Sequence, residues 1–219
     1  YLKNCELAKS KIIDLIYGLI FDQKLVRIKS EKQLILYCYR VAGTVGVLMC
    51  IALECKDKNA FNFAIDLGIA MQLTNILRDI EEDAKLNRRY LPGKFINDLN
   101  PKQILFLTKD HNHSNHSILN DALKKILLIS EFYYRSGNRG LVFLNFKFRI
   151  AIRIASNVYR EIGVKLKKNK FMWYKERIYT TKFEKLKLTL KTFLNIFVFF
   201  KSKFPKHDQS LHKHLKEIL

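Results

Sequence analysis

The run Gln72-Leu73-Thr74-Asn75-Ile76-Leu77-Arg78-Asp79-Ile80-Glu81-Glu82-Asp83, followed closely by Arg88, Arg89 and Tyr90-Leu91-Pro92, decides how the rest of the chain is read. At 3.6 residues per turn Gln72, Asn75, Asp79 and Asp83 fall on one stripe of a helix. Leu73, Ile76, Leu77 and Ile80 fall on another, so the helix has a polar working face and an apolar packing face. Asp79 and Asp83 are about 6 Å apart along the axis, near enough to reach a common cation, with Asn75 one turn below. Oxygen donors of this kind suit magnesium, or manganese in its place. Such ions take few protein carboxylates and fill their shell with water and phosphate oxygens. A phosphorylated ligand is the expected third party, and Arg78, Arg88 and Arg89 bring guanidinium forks for oxygens the metal leaves uncovered. The competing reading is an ordinary solvated helix face. Against it stand the two amides and the mutual repulsion of carboxylates at i and i+4.

Outward from this run, 219 residues suffice for one sizeable domain, and no Pro/Gly/Ser-rich linker divides them. Eight Gly, three Pro and long apolar periodicities predict an all-α fold. Helices are expected over 3–22, 30–53, 60–86, a short stretch from Asn100-Pro101, then 118–136, 146–166 and 182–203. Ser30 with Gln33 reads as a capping box, and Gly137 to Gly140 as a break. Residues 1–204 are expected to form one helical domain, and 205–219 a basic flexible tail.

The Asp79–Asp83 run resembles the second aspartate-rich signature of the squalene/phytoene synthase family. Tyr37-Cys38-Tyr39-Arg40-Val41-Ala42-Gly43-Thr44-Val45-Gly46 resembles that family's other signature, and its wording leans toward the bacterial phytoene synthases. Tyr133-Tyr134-Arg135-Ser136, Val158-Tyr159-Arg160-Glu161-Ile162-Gly163 and Arg177-Ile178-Tyr179 extend the likeness to about Thr192. The resemblance implies an isoprenoid-synthase-like helical bundle around a central cavity, with N-terminal helices missing. It implies magnesium held by Asn75, Asp79 and Asp83, and substrate contacts from Gln72, Arg78, Arg88, Tyr159, Ala42, Gly43 and Gly46. Tyr37 matches a position in the family's active cavity and joins Asp79 and Asp83 as a catalytic residue. The family's first aspartate-rich motif should lie well before Tyr37. Asp14 and Asp22, eight residues apart, do not form such a pair and read as caps, salt-bridge partners or lesser polar contacts, so the chain reads as part of a longer one.

Several positions keep two readings. Each mid-helix Gly costs about 1 kcal/mol relative to Ala, so Gly43 and Gly46 need a bare backbone, either for a packed helix or for a prenyl chain in the groove. Tyr37 is either a core aromatic or a ring facing a cation with a hydroxyl that holds a proton. Tyr159 is either a packing aromatic or part of the substrate site. Tyr90 is read as part of the hinge of a basic loop, 87–92, that closes over a diphosphate.

The net charge of +20 suits anionic partners. From Lys165 onward fifteen Lys/Arg face four Asp/Glu, so this quarter of the chain carries +11. Mixed with Phe193, Phe197, Phe199 and Phe200, this charge fits peripheral binding to an acidic bilayer; lysine drift that serves solubility is the other reading. No nucleic-acid motif accompanies the charge, so no nucleic-acid partner is expected. The longest apolar run, 196–200, is too short to span a membrane. Cys5, Cys38, Cys50 and Cys55 show no disulfide or metal spacing and read as reduced thiols of a cytoplasmic protein at the inner membrane face. The histidines of 110–116 read as a surface loop, and His207, His212 and His214 as part of the tail.

The implied reaction is the head-to-head condensation of two geranylgeranyl diphosphates to phytoene. The alternatives are a squalene-type reaction on farnesyl diphosphate and a non-catalytic, membrane-associated assembly member of the family. The oligomeric state is not legible in the sequence.

Overall fold

In the computed structural model, residues 5–194 and 204–219 are described. Among them run nine α-helices: α1 (Cys5–Asp22), α2 (Glu31–Cys38), α3 (Thr44–Ala52), α4 (Ala60–Arg78), α5 (Ile80–Lys85), α6 (Pro101–Leu107), α7 (Asn115–Gly140), α8 (Phe146–Lys168) and α9 (Lys182–Leu194). Pairing of extended backbone among the described residues is limited to one bridge between Arg27 and Arg89. The fold is all-α, as expected, with α4 at its centre between α3, α7 and α8.

The expected helix over 30–53 forms as one run. A π turn at Tyr39–Gly43 divides it into α2 and α3, inside the motif quoted above. Such turns occur often at functional sites. Ser30 Oγ accepts from Gln33 N, but the Gln33 side chain accepts from Lys29 N, one residue ahead of the usual capping-box partner. Asn100 and Gln103 make the full reciprocal box that starts α6.

Bare backbone sets how closely the central helices approach. A Cβ at Gly68 would lie 2.3 Å from the Ala42 carbonyl oxygen, and one at Gly46 would lie 2.3 Å from that of Ala64. The π turn and α3 therefore meet α4 backbone to backbone. On the other side of α4, a Cβ at Gly140 would fall 2.0 Å from Phe63 Cβ. Residues 137–140 thus continue α7 instead of breaking it, because the bare backbone of Gly137 and Gly140 is used for contact with Leu67 and Phe63 of α4 and not for a turn.

Two further expectations are corrected. The metal-bearing helix expected over 60–86 leaves helical geometry at one residue, Asp79 (φ −104°, ψ 24°), which separates α4 from α5. The ladder still carries on, with Asp79 N donating to Asn75 O and Asp83 N to Asp79 O. The tail expected to be flexible packs onto the bundle. Leu215 is fully buried, Phe204 stacks on Phe143, and Tyr133 donates its hydroxyl hydrogen to Leu211 O at 2.7 Å. Basic composition concealed the apolar and imidazole groups that anchor this segment. The stretch 195–203, with Phe197, Phe199 and Phe200, lies outside the described residues.

Two helical stretches, Glu31–Ala52 and Ala60–Arg78, are long and apolar enough to cross a bilayer by composition, which a search for uninterrupted apolar runs passes over. More than half of each is buried inside the bundle, as befits core helices. The loop expected over 110–116 ends at residue 114: Asn115 and His116 open α7, and His116 is buried with a ring nitrogen against the Leu107 and Asp110 carbonyl oxygens.

Candidate active site

Between α3, α4, α7 and α8 lies an apolar cavity of about 340 Å³. Ala42 and Gly46 line it from one side, Tyr159 from α8, and Gln72 and Asn75 from α4. The polar stripe of α4 thus enters the cavity at Gln72 and Asn75, and Asp79 and Asp83 follow at successive turns. Gly43 does not line the cavity. Its missing side chain faces the Tyr39 ring and Ile65, and that of Gly46 faces Ala64, so helix contact is what requires bareness at both.

Asp79 is held from two directions. Arg78 donates Nε to Oδ1 at 2.8 Å, and Arg177, from the segment before α9, donates Nη2 to the same oxygen at 2.6 Å. Burial acts to raise the Asp79 pKa, but these two guanidinium groups hold it below the ordinary carboxylate value. Asp83 has no such clamp. Burial first, then the charges of Asp79, Glu82 and Asp22, push its carboxyl up to about 7, opposed by Arg88. One carboxylate is compensated and its neighbour is starved of positive charge.

Beside them, the end of α1 delivers Asp22 to a tyrosine pair. Tyr37 donates its hydroxyl hydrogen to Asp22 Oδ2 at 3.0 Å and Tyr90 to Oδ1 at 2.8 Å, while the two rings stack with centroids 4.9 Å apart. Burial, first, raises the pKa of both hydroxyls, so both stay protonated. Arg88 Nη2 donates to the Asp22 carbonyl oxygen at 2.9 Å. Arg89 departs from its expected role. It is buried, and its guanidinium donates to Ile28 O, Leu99 O and Asp98, so it braces the loop and is not available to phosphate. Nor is the loop a free flap, since Arg89 N donates to Val26 O and Gly93 N to Ile28 O. Tyr90, expected at a hinge, is fixed in the stack.

Residues 1–184 match the family model described as squalene/phytoene synthase. The chain belongs to the squalene/phytoene synthase family. It is 33% identical over 178 residues to the phytoene synthase of Pseudescherichia vulneris, covering 81% of this chain and 56% of that one. It is 32% identical over 185 residues to the 15-cis-phytoene synthase of Pantoea ananas, covering 84% and 59%. Its fold is similar to that of a dehydrosqualene synthase crystallised with a ligand (TM-score 0.70, 22% identity, 86% of this chain and 65% of that one). It is also similar to squalene synthase HpnC from Alicyclobacillus acidocaldarius (TM-score 0.65, 16% identity, 74% and 60%). The chain spans less than three fifths of the length of these two curated relatives.

Within this squalene/phytoene synthase bundle, a divalent cation suits the donors present. Asn75 Oδ1 is a buried acceptor without a hydrogen-bond donor, and burial and its acidic neighbours push the Asp83 carboxyl up to about 7. Hard divalent cations, bridged by Asp79 between Asn75 and Asp83, suit both. Sequence reasoning missed Asp22 and Arg177. Asp22 showed no partner at helical spacing, and Arg177 lies ninety-eight residues beyond the carboxylate it clamps.

The raised Asp83 pKa sets a sign for stability against pH. Between roughly pH 4 and 7 the folded chain keeps a proton that the unfolded chain has lost, so this group's contribution falls as pH rises through that window. In metal-free buffer, Asp83→Asn is expected to melt above the parent protein at pH 8 and by a clearly smaller margin at pH 5. Thermal denaturation at the two pH values checks this. An equal difference at both would show that Asp83 is an ordinary ionised carboxylate.

Proposed function

We propose that this chain is the metal-binding part of a head-to-head prenyl transferase that joins two geranylgeranyl diphosphates to give phytoene. The observation that carries the reading is the single α4 stripe that lines an apolar cavity with Gln72 and Asn75 and continues outward to Asp79 and Asp83. Asn75, Asp79 and Asp83 would hold magnesium, or manganese, which supplies Lewis-acid neutralisation of the departing diphosphate.

The chain's own residues do the rest. Arg177 is half exposed and exchanges its carboxylate partner for phosphate oxygens, with Arg78 and Arg88 alongside. Breaking the C1–O bond sends its electron pair out with the diphosphate and leaves an allylic cation in the cavity. The apolar lining keeps water from that cation until the second substrate's double bond attacks. Loss of a proton from that adduct closes a cyclopropyl diphosphate, which ionises in turn, rearranges and loses a second proton. Tyr37 stays protonated and stacked, and works as a neutral ring and a hydroxyl donor, not as a phenolate base.

Peripheral membrane contact fits substrates and product of this kind. On α9, Phe183, Leu186, Leu190 and Phe193 are exposed within a lysine-rich sequence, which supports docking at an acidic cytoplasmic leaflet. Chain length is tested by product analysis of the whole protein supplied with geranylgeranyl or farnesyl diphosphate and magnesium. A C40 hydrocarbon from the C20 substrate without a reductant is expected. A C30 product from the C15 substrate as the main outcome overturns the assignment in favour of squalene-type chemistry.

A further inference from the structure

On the side of α4 that does not line the cavity, Asp66 is fully buried. Its Oδ2 lies 2.8 Å from His207 Nε2 and its Oδ1 lies 2.8 Å from His212 Nε2. Both histidine side chains are almost wholly buried. Each imidazole offers a nitrogen and Asp66 an oxygen, and these three atoms lie within 4.8 Å of one another. The family match ends at residue 184, so the histidines come from outside it while Asp66 lies within it.

We propose that Asp66, His207 and His212 form a second metal site, for a borderline divalent ion such as zinc, which pins segment 204–219 to the central helix. An ionised carboxylate removed from water is costly unless its charge is met. Among the described residues the ion-pair partners of Asp66 are these two imidazoles. As neutral rings they leave the cluster with one uncompensated negative charge. A divalent cation meets the charge. Two imidazoles at His-x4-His spacing and one carboxylate make a donor set that suits zinc, with a fourth position left for water. Magnesium prefers oxygen and stays with the Asp79–Asp83 stripe. The ion would tie down a segment already bonded to α7 through Tyr133 and to α2 through the Lys32–Glu217 pair.

The test uses the full chain with Asp79→Asn and Asp83→Asn, so that the other carboxylates contribute no metal binding. Cobalt(II) is expected to bind one equivalent with tetrahedral visible absorption, displaced by zinc and not by magnesium. At a hundredfold excess over its Kd, zinc is expected to raise the melting temperature by roughly 5–10 °C. His212→Gln is expected to weaken cobalt binding by about 100-fold or more. Native mass spectrometry of the parent chain counts bound zinc independently of whether that variant folds. Absence of bound zinc and of any zinc-induced shift, with the segment held by hydrogen bonds and protons alone, overturns the proposal. So does cobalt absorption that His212→Gln leaves unchanged, which would place the ion at another histidine. Neither result bears on the prenyl transferase reading.

Discussion

Replacing Gly68 by Ala is expected to lower the melting temperature by on the order of 10 °C, although the change raises helix propensity. The added methyl group would stand 2.3 Å from the Ala42 carbonyl oxygen and 2.6 Å from its carbon, both backbone atoms in a run that cannot shift alone. Overpacking of this kind costs about 3 kcal/mol or more, against a propensity gain of about 1 kcal/mol. In a chain of this size each kcal/mol corresponds to roughly 2–4 °C. Gly43→Ala is the control. Its nearest contact is the Tyr39 ring at 3.1 Å, followed by an Ile65 methyl group, and side chains yield more readily than backbone. Melting within a few degrees of the parent is expected there. If Gly68→Ala were as mild as Gly43→Ala, the backbone contact between α4 and the π turn would not be what sets the helix spacing and the cavity wall.

How much of this was legible in the sequence follows from the range of each interaction. Helix periodicity is local, so α4, α6 and α8 were readable within a few residues from their own apolar spacing and, at Asn100-Pro101, from a cap. The stripe Gln72–Asn75–Asp79–Asp83 was readable for the same reason. What each glycine faces is not local. Gly137 and Gly140 look like helix breakers in a one-dimensional reading and become contact points only once α4 lies beside them. The interruption at Asp79 and the π turn at Tyr39–Gly43 leave no mark on apolar spacing, because a single residue or a single turn shifts phase too little. Arg88 and Arg89 are adjacent and chemically alike, yet one reaches toward Asp22 and the site while the other is spent on carbonyl oxygens. The Asp66–His207–His212 cluster joins residues more than 140 positions apart, and no spacing rule connects them.

Asp79 and Asp83 follow Gln72 and Asn75, which line the cavity, at successive turns of one stripe. Asp79 is compensated by Arg78 and Arg177 and so is kept ionised, ready to trade a guanidinium for a metal. Asp83 is pushed up to about 7 by burial and by its acidic neighbours, and a cation relieves that cost directly. Asparagine keeps the shape of either side chain and removes the charge, so helicity should not change while transition-state stabilisation is lost. Loss of one such group is expected to cost about 10³-fold in turnover, with kcat and kcat/KM falling together. The deciding measurement is magnesium-dependent release of inorganic diphosphate from geranylgeranyl diphosphate by the whole protein, with Asp79→Asn and Asp83→Asn compared with the parent and circular dichroism as the check on folding. Release reduced to near background in both folded variants is the predicted result. Near-normal release by either one would contradict the assignment of these carboxylates.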